Sequence, residues 1–427
     1  MMQMETEEKR YVHPSGFVAF RTIFGCLLLF SLLRYAYNGW IDTQLLNPKF
    51  HFSYYYFQWV YPYSSTLIYG MFGVMIVCAF CIILGYRTRF SAALCCFCFT
   101  FVEIIDKSNY LNHYYLVSLL LFWLSCCPEV TKNTNKEYPA IHYSIYWIFR
   151  AQLAIVYIYA GLAKISWDWL VKGEPLYTWL QSFIAVPVFG LVCTKPWFAI
   201  AMSWGGAVFD LSIVPFLLYP KTRTYAFGVL VFFHMTLWFM FPIGIFPFVM
   251  IASATLFLDY KWASRYITLH GSSTSLSFSK LIQPLLKVML VLQILFPLRH
   301  LLYSGPVNWT EEGFRFSWRV MLIEKTGTLE YEVHQNGNTF LVFPSRLLEP
   351  FQYKALVTQA DMIQDYAYFL SKKYRNTDGS PAKVFAHSFI WFNRRKSQRF
   401  ISADTDLATT QRGFYPKKWI LPMDSPH

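Results

Sequence analysis

Nine apolar stretches separated by polar segments fill the chain up to about residue 302. A helix rises about 1.5 Å per residue, so about 20 apolar residues cross the ~30 Å hydrocarbon core of a bilayer. With 55% hydrophobic and only 14% charged residues, the sequence predicts a polytopic α-helical membrane bundle of about nine transmembrane helices. The third, fourth and eighth stretches are short and could be helices that do not cross fully. The stretches span residues 16–35, 66–85, 90–105, 113–126, 143–162, 198–218, 225–240, 246–258 and 281–302.

Basic residues between the stretches favour an N-terminus in the cytoplasm and a C-terminus outside it, because cytoplasmic loops are enriched in lysine and arginine. We therefore expect a membrane domain over residues 1–303 and an exocytoplasmic domain over residues 304–427. Aromatic and polar residues alternate in segment 172–195, which could lie at the membrane interface or re-enter the membrane. The basic residues that would face the cytoplasm are Lys9, Arg10, Arg87, Arg89, Lys132, Lys136, Lys221, Arg223, Lys261 and Arg265.

Beyond residue 304 the density of charged residues rises, and the sequence predicts a small α+β domain. Asn336-Gly337 separates two runs of strand-like composition, which is typical of a β-hairpin. A periodic run over residues 355–374 predicts an amphipathic helix. The predicted strands cover residues 328–334, 338–344, 384–392 and 399–402.

Composition and spacing argue against two classes of function. The net charge of +13 does not indicate a nucleic-acid partner, because the basic residues flank apolar stretches and follow no nucleic-acid motif. Cys78 and Cys81 have CxxC spacing, yet they lie inside an apolar stretch without a second pair or a histidine, so we expect no metal site. The basic cluster at residues 394–399 could attract acidic peptides or form an ordinary solvated face.

Ionisable residues inside the apolar stretches are the strongest functional signal, because a charge at membrane depth is costly and usually marks a pathway or an active site. Arg150, Tyr157 and Lys164 are spaced by sevens in a run that predicts a helix over 150–169, with Asp168 one turn beyond Lys164. Arg150 lies near the end of its stretch, where a side chain can reach the interface and only set orientation. Lys164 could do the same.

A second polar group follows the third stretch. Asp106, Asn109 and His113 fall on one face if this piece is helical, and Asp210 and His234 lie inside later stretches. A lone histidine is more often a structural residue, but several buried polar groups in one bundle need partners among themselves. Asp210 could neutralise a buried cation. The neighbouring Gly205-Gly206 pair indicates close helix packing.

Several sequence blocks resemble the vitamin K-dependent γ-glutamyl carboxylase family, also described as the HTTM family. They occur in register across most of the chain and continue into its C-terminal part, so their order is more specific than any single block. The blocks are DKSNYLNHYYL (106–116), RAQLAIVYIYAGLAKISWDW (150–169), GGAVFDLS (205–212), FFHM (232–235), FPFVMIAS (246–253), NWTEEGFRFSW (308–318), ADMIQDYAYFL (360–370) and WFNRRKSQRF (391–400).

The resemblance implies an integral-membrane enzyme that oxidises vitamin K hydroquinone with O2 to the 2,3-epoxide. In that family, a strong base generated by the oxidation removes a γ-proton from peptidyl glutamate, and the carbanion takes up CO2. Lys164 matches the family's base for the hydroquinone. Asn112 and His113 match the Asn-His pair that acts on the glutamate. Residues expected to contact the quinone or the substrate are Asp106, Arg150, Tyr157, Asp210, His234, Trp318 and Met321.

The implied partners are a glutamyl-containing peptide or protein and the lipid bilayer, in a bacterial cytoplasmic membrane or in the endoplasmic reticulum of a eukaryote. The chain is much shorter than the animal carboxylases, as in a short bacterial-type homologue. Its SWRVM segment replaces the acidic third residue of the animal SWDMM motif by Arg319. Two alternatives remain: a quinol epoxidase or oxidase that acts on another acceptor, and a membrane quinone- or lipid-binding protein or transporter without chemistry.

Overall fold

A computed structural model describes residues 11–130, 137–267 and 270–424. The basic residues Lys9, Arg10, Lys132 and Lys136, which the orientation argument used, lie outside the described residues. Within the described part, a helical bundle is followed by a small domain that contains a four-stranded sheet.

Every apolar stretch of the sequence is largely helical. Among the described residues, six helices are long and apolar enough to cross a membrane: Ser15–Tyr37, Ser65–Leu84, Thr88–Ile105, Ser144–Ala163, Pro196–Leu218 and Gln283–Leu302. The bundle is thus confirmed, whereas nine crossings remain a prediction. In chain order the bundle helices are α1 (Ser15–Tyr37), α2 (Ser65–Leu84), α3 (Thr88–Ile105), α4 (Asn112–Cys126), α5 (Ser144–Ala163), α6 (Pro196–Leu218), α7 (Arg223–Met240), α8 (Phe246–Ala254) and α9 (Gln283–Leu295, extended by a 3₁₀ turn to Leu302).

A three-stranded sheet gathers three distant connections at one end of the bundle. Its strands are β1 (Tyr11–Val12), β2 (Glu137–His142) and β3 (His270–Leu276). β1 pairs antiparallel with β2, and β2 pairs parallel with β3. Sequence periodicity did not predict this sheet, because its pairing depends on segments more than a hundred residues apart. It joins the segments before α1, before α5 and before α9.

The C-terminal domain contains a four-stranded sheet whose strands lie in the order β5 (Asn338–Val342), β4 (Lys325–Gln335), β6 (Lys383–Phe392) and β7 (Gln398–Arg399). The predicted hairpin is confirmed: Asn336 and Gly337 have positive φ values of 50° and 79° between the first two strands, as a tight hairpin turn requires. The predicted amphipathic helix over 355–374 is confirmed for Ala360–Lys373, but it begins five residues later than predicted, because Ala355 belongs to a separate short helix. The two helices are α10 (Pro350–Leu356) and α11 (Ala360–Lys373).

Between α5 and α6 the chain forms only short helical turns, which are Trp167–Leu170, Leu176–Leu180 and Phe189–Cys193. The sequence predicts an interfacial or re-entrant segment in this region. Apolar side chains at its tip are exposed, with Val188 at 80% and Leu191 at 73%. The region ends at Pro196, the first residue of α6.

Charged side chains join the C-terminal domain to the bundle. Lys107, in the connection between α3 and α4, is 2.9 Å from Asp361 and 2.5 Å from Asp365 of α11. Arg315 also pairs with Asp361 at 2.8 Å, and Arg412 pairs with Asp365 at 2.6 Å. Burial alone would raise the pKa of Asp361, but the charges of Arg315 and Lys107 outweigh it and hold that pKa well below its usual range. The junction is therefore a buried ion network.

We expect Lys107→Met to destabilise the protein by roughly 3 kcal/mol. This is the low end of the usual cost of breaking a buried ion pair, because the two aspartates keep their arginine partners. Thermal unfolding in detergent measures the loss. Lys372→Met removes an exposed lysine from α11 and should change stability by less than about 0.5 kcal/mol. Equal melting temperatures for the two variants would contradict a stabilising junction.

The same network should tolerate mild acid. Because the pKa of Asp361 is lowered on folding, its contribution is present above the unfolded value of about 3.9 and is lost as pH falls through the folded value. The Lys107→Met difference in melting temperature should therefore stay constant between about pH 5 and pH 8.

Candidate active site

Lys164 lies at the end of α5, where the helix stops. Its backbone N–H bonds to Gly161 O at 3.0 Å, and Ser166 begins a new turn by accepting the backbone N–H of Trp169 at 3.3 Å. A serine in this position caps the start of a helix. The predicted continuous helix over 150–169 is therefore wrong, because α5 ends at Ala163.

This break changes the partner of the lysine. Lys164 Nζ donates to Asp210 Oδ2 at 2.6 Å, and both side chains are buried. Asp168, which follows the break, instead accepts two hydrogen bonds of 2.7 Å from Arg395 of the C-terminal domain. Asp210 on α6 thus neutralises the buried cation, as one interpretation of the sequence proposed.

A largely apolar cavity opens beside Lys164 and Asp210, and we call it the Lys164 cavity. Helices α5 to α8, the segment after Lys164 and two residues of the C-terminal domain contribute to it. Its lining consists of Val156, Tyr157, Ala160, Lys164, Trp169, Leu176, Met202, Gly206, Asp210, Phe233, His234, Leu237, Phe241, Ile243, Phe246, Met250, Val320 and Met321. The cavity therefore combines aromatic walls with one ion pair.

The two adjacent glycines of α6 have different surroundings. A Cβ on Gly206 would lie 3.8 Å from Trp169 Cζ2 and 3.9 Å from Lys164 Cε, whereas a Cβ on Gly205 would meet no atom within 4 Å. Gly206 faces the Lys164 cavity, and Gly205 is exposed. The expectation that this pair marks close helix packing is wrong, because one glycine leaves room in the cavity and the other points out of the bundle.

A second polar pair lines the same cavity. Tyr157 Oη and His234 Nε2 are 2.8 Å apart, and both side chains are buried. The other ring nitrogen of His234, Nδ1, is buried and has no hydrogen-bond partner among the described residues. These residues lie on α5 and α7, so the bundle brings together two of the predicted site residues.

His113 lies beside the cavity but does not line it. Its ring centroid is 5.9 Å from that of Phe246, and Phe246 is 6.1 Å from His234. Phe246, which lines the cavity, thus contacts both histidines. The prediction that Asp106, Asn109 and His113 share one helical face is wrong, because α3 ends at Ile105 and α4 begins at Asn112.

The C-terminal domain reaches the cavity through the segment Phe316–Met321. Tyr110 Oη accepts the backbone N–H of Phe316 at 2.7 Å and donates to Asn112 Oδ1 at 2.9 Å. The Asn112 amide then donates to Arg319 O at 2.9 Å. Two hydrogen-bonding side chains at the start of α4 therefore fix this segment.

The same segment carries backbone strain. Phe316, Trp318 and Met321 have φ values of 60°, 57° and 52°, in the left-handed region that non-glycine residues rarely adopt. Such strain tends to collect at functional sites, where the surroundings hold it in place.

Two family models match the chain. One, described as the HTTM domain, matches residues 9–262, and the other, described as vitamin K-dependent gamma-carboxylase, lumenal domain, matches residues 278–426. The first alone covers more than half of the 427 residues. The chain belongs to the vitamin K-dependent gamma-carboxylase family. Its family domains indicate a carboxylase-type, multi-pass membrane protein. No solved structure matches the chain.

Three residues that the carboxylase resemblance suggested lie outside the Lys164 cavity. Asp106 accepts a hydrogen bond from Gln352 at 2.7 Å and belongs to the domain junction. Arg150 is about 14 residues, or roughly 21 Å of helix, from Lys164, and its Nε donates to Leu256 O at 2.8 Å. Trp318 is stacked on Tyr115 with ring centroids 5.0 Å apart. Among the predicted contact residues, Tyr157, Asp210, His234 and Met321 do line the cavity.

Some residues of the Lys164 cavity were not predicted from the sequence. Trp169, Phe246 and Val320 line the cavity, yet they resemble ordinary apolar residues in their stretches. Gly206 could have been found, since it precedes Asp210 by four residues and therefore shares its helix face. Among the described residues, no group of three or more histidine, cysteine or acidic side chains is arranged to hold a metal ion.

Proposed function

We propose that this protein is a vitamin K-dependent γ-glutamyl carboxylase that oxidises vitamin K hydroquinone to the 2,3-epoxide while it carboxylates peptidyl glutamate. The observation that carries the proposal is Lys164, paired with Asp210 at 2.6 Å beside an aromatic cavity that the C-terminal domain helps to close. Among membrane proteins, a buried lysine in such a place is a candidate for proton transfer.

The lining fits the hydroquinone, which is a flat aromatic bicycle with two hydroxyl groups and an apolar tail. Trp169, Phe233, Phe241 and Phe246 supply aromatic surface, and Gly206 leaves space next to the lysine. Bound vitamin K hydroquinone supplies the electrons that reduce O2 and the strong base that carboxylation needs.

Lys164 in its neutral amine form is the proposed general base for a hydroxyl proton of the hydroquinone, and the ion pair with Asp210 is the state that the transfer produces. Asp210 would neutralise the ammonium ion that the transfer produces, and Trp169 lies over it with Nζ 5.4 Å from the ring centroid. Most of the remaining lining is apolar, so water is largely excluded. Exclusion of water protects the strong base on which the second reaction depends.

His113 and Asn112 are the proposed residues of the glutamate side. His113 contacts the ring of Phe246, which lines the Lys164 cavity. A hydrogen bond from His113 to the charge that develops on the glutamate would stabilise the transition state. Asn112 would position the Phe316–Met321 segment, because it bonds to the backbone of Arg319.

We further propose an N-in, C-out orientation with nine crossings. The helix ends support it, because β1 to β3 collect at one end of the bundle, whereas Lys107 contacts the C-terminal domain at the other. Arg87 and Arg89 lie at the sheet end, with Arg89 N 2.8 Å from Glu129 Oε1. The domain division near residue 303 and the location in a bacterial cytoplasmic membrane or the endoplasmic reticulum belong to the same proposal.

The purified protein in nanodiscs tests the function directly. It should convert vitamin K hydroquinone to the epoxide in the presence of O2, and labelled CO2 should enter a glutamyl peptide in the same reaction. Epoxide without label in the peptide would favour a quinol epoxidase with another acceptor. If no epoxide forms, the result would favour a quinone- or lipid-binding protein or a transporter.

The two glycines of α6 provide a matched test of the cavity. Gly206→Leu should raise the KM for the hydroquinone at least about tenfold, because the added side chain occupies space beside Lys164. Gly206→Ala should be close to wild type, since its Cβ would make only ordinary contacts. Gly205→Leu is the control because it faces outward. Similar KM values for Gly206→Leu and Gly205→Leu would contradict quinol binding in this cavity.

A further inference from the structure

An open groove lies where the C-terminal domain meets the start of α6. The turn between β6 and β7 forms one wall, with Asn393 and Arg394 at positive φ values of 44° and 60°. The groove has a volume of about 720 Å³. Its residues include Val171, Lys172, Pro196, Ile200, Arg394 and Lys396. It is separate from the Lys164 cavity, with which it shares no lining residue.

The acidic side chains that approach the groove are mostly committed to other partners. Asp168 accepts hydrogen bonds from Arg395 and Asn393, and these bonds, which outweigh the effect of burial, lower its pKa. Glu174 accepts from Thr178 at 2.7 Å and lies 3.3 Å from Arg394. Asp168 therefore holds the turn against the bundle, with Arg395 as its ion-pair partner.

Two lysines in the groove remain uncommitted. Lys172 and Lys396 are exposed, and among the described residues neither has a carboxylate within ion-pair distance. Arg394 adds a third charge that is 58% exposed and lies over the ring of Tyr177. Against these, the lining contains two acids, which are Glu174, paired with Arg394, and Asp424. The groove therefore carries a net positive charge, which favours an anionic ligand.

The position of the groove relative to α6 indicates which anion. Pro196 is the first residue of a helix that is long and apolar enough to cross a membrane, so its level corresponds to the lipid headgroups. Trp197 beside it is 61% exposed and Val171 is 45% exposed. Tryptophan side chains are enriched at this level of the bilayer, and lysine or arginine side chains near the membrane surface attract anionic headgroups.

We propose that this groove binds the phosphate headgroup of an anionic phospholipid. Lys172, Lys396 and Arg394 contact the phosphate, and the acyl chains lie along the exposed face of α6 below Ile200. The sequence had suggested that the basic cluster at 394–399 attracts acidic peptides. The structure divides that cluster, because Arg395 is bound to Asp168 and Arg394 lies 3.3 Å from Glu174. Lys396 pairs with no carboxylate of the described residues and shares the groove with apolar residues at membrane level. The inference does not depend on the proposed enzymatic function.

Native mass spectrometry of the full chain in detergent tests the site with phosphatidylglycerol as the probe. Phosphatidylcholine, inorganic phosphate and a glutamate-rich peptide are compared with it. Lys172→Gln/Lys396→Gln should weaken phosphatidylglycerol binding by about 30-fold, since each basic residue near a headgroup contributes about fivefold. The control is Lys354→Gln/Lys383→Gln, which removes two exposed lysines of the C-terminal domain. Lys383 lies at the far end of β6, about 30 Å from the turn.

Selective retention of phosphatidylglycerol by the wild type and by the control, with loss in the groove variant, is the expected result. Equal retention of phosphatidylcholine, or an equal loss in both variants, would overturn the proposal. It would also be overturned if inorganic phosphate or the peptide bound at the same lysines while the lipid did not. Because the readout is binding, its failure is distinguishable from failure of the carboxylase proposal.

Discussion

Replacement of Lys164 by alanine is expected to lower epoxide formation from vitamin K hydroquinone by at least about 100-fold. A positioned general base contributes about 10² to 10⁴ in rate, and the lining offers no second amine beside Lys164. Carboxylation should fall with it, because the base for the second reaction arises only from the first. Epoxide measured by chromatography and label in the peptide report the two steps separately.

The loss must be distinguished from misfolding, because Lys164→Ala leaves the buried Asp210 without its partner. Breaking a buried pair in this way costs about 3–5 kcal/mol. Lys164→Met/Asp210→Asn removes both charges and should recover much of the melting temperature while it stays inactive. Asp210→Asn alone keeps the amine and should retain more activity than the double variant. Epoxidation near the wild-type rate in the double variant would exclude Lys164 as the base.

Replacement of His113 by alanine is expected to uncouple the two reactions. Epoxide formation should remain within a few-fold of wild type, because His113 does not line the Lys164 cavity. Carboxylation per epoxide should fall by about 100-fold, the usual effect of removing one donor to a developing negative charge. The ratio of incorporated label to epoxide measures this effect without knowledge of the active fraction.

His234→Ala provides the contrast for His113→Ala. His234 lines the Lys164 cavity and contacts Tyr157, so its loss should raise the KM for the hydroquinone and lower both reactions together. A ratio that changes equally in the two variants would contradict the assignment of His113 to the glutamate side.

The apolar stretches of the sequence predicted the helices of the bundle well. The apolar stretches became helices because a long apolar segment in a membrane must satisfy its own backbone hydrogen bonds. The hairpin at Asn336-Gly337 was equally predictable from the sequence, since few residue pairs accept two positive φ values. These features depend on local chemistry alone.

Partners across the fold were harder to predict. Spacing suggested Asp168 as a neighbour of Lys164, but the cap at Ser166 ends the helix and Asp168 binds Arg395 instead. Asp210 became the partner because α6 packs against α5. A single capping serine can decide such a pairing, and helical periodicity does not record it.

The C-terminal contribution to the site was also only partly visible. Met321 was expected near the substrate and lines the cavity. Two hydrogen bonds hold its segment: Tyr110 accepts one from the Phe316 backbone, and Asn112 donates one to Arg319 O. Each joins residues about 200 positions apart in the sequence. Their role follows from the way the two domains meet, which the sequence does not encode locally.

The most direct test of the account is loss of deuterium from the γ-carbon of a glutamyl peptide when CO2 is withheld. If the oxidation of vitamin K hydroquinone generates the base that attacks this carbon, exchange with solvent should require both the hydroquinone and O2. It should also disappear in Lys164→Met/Asp210→Asn. Epoxide formation without any loss of deuterium in the wild type would contradict the coupling of the two reactions.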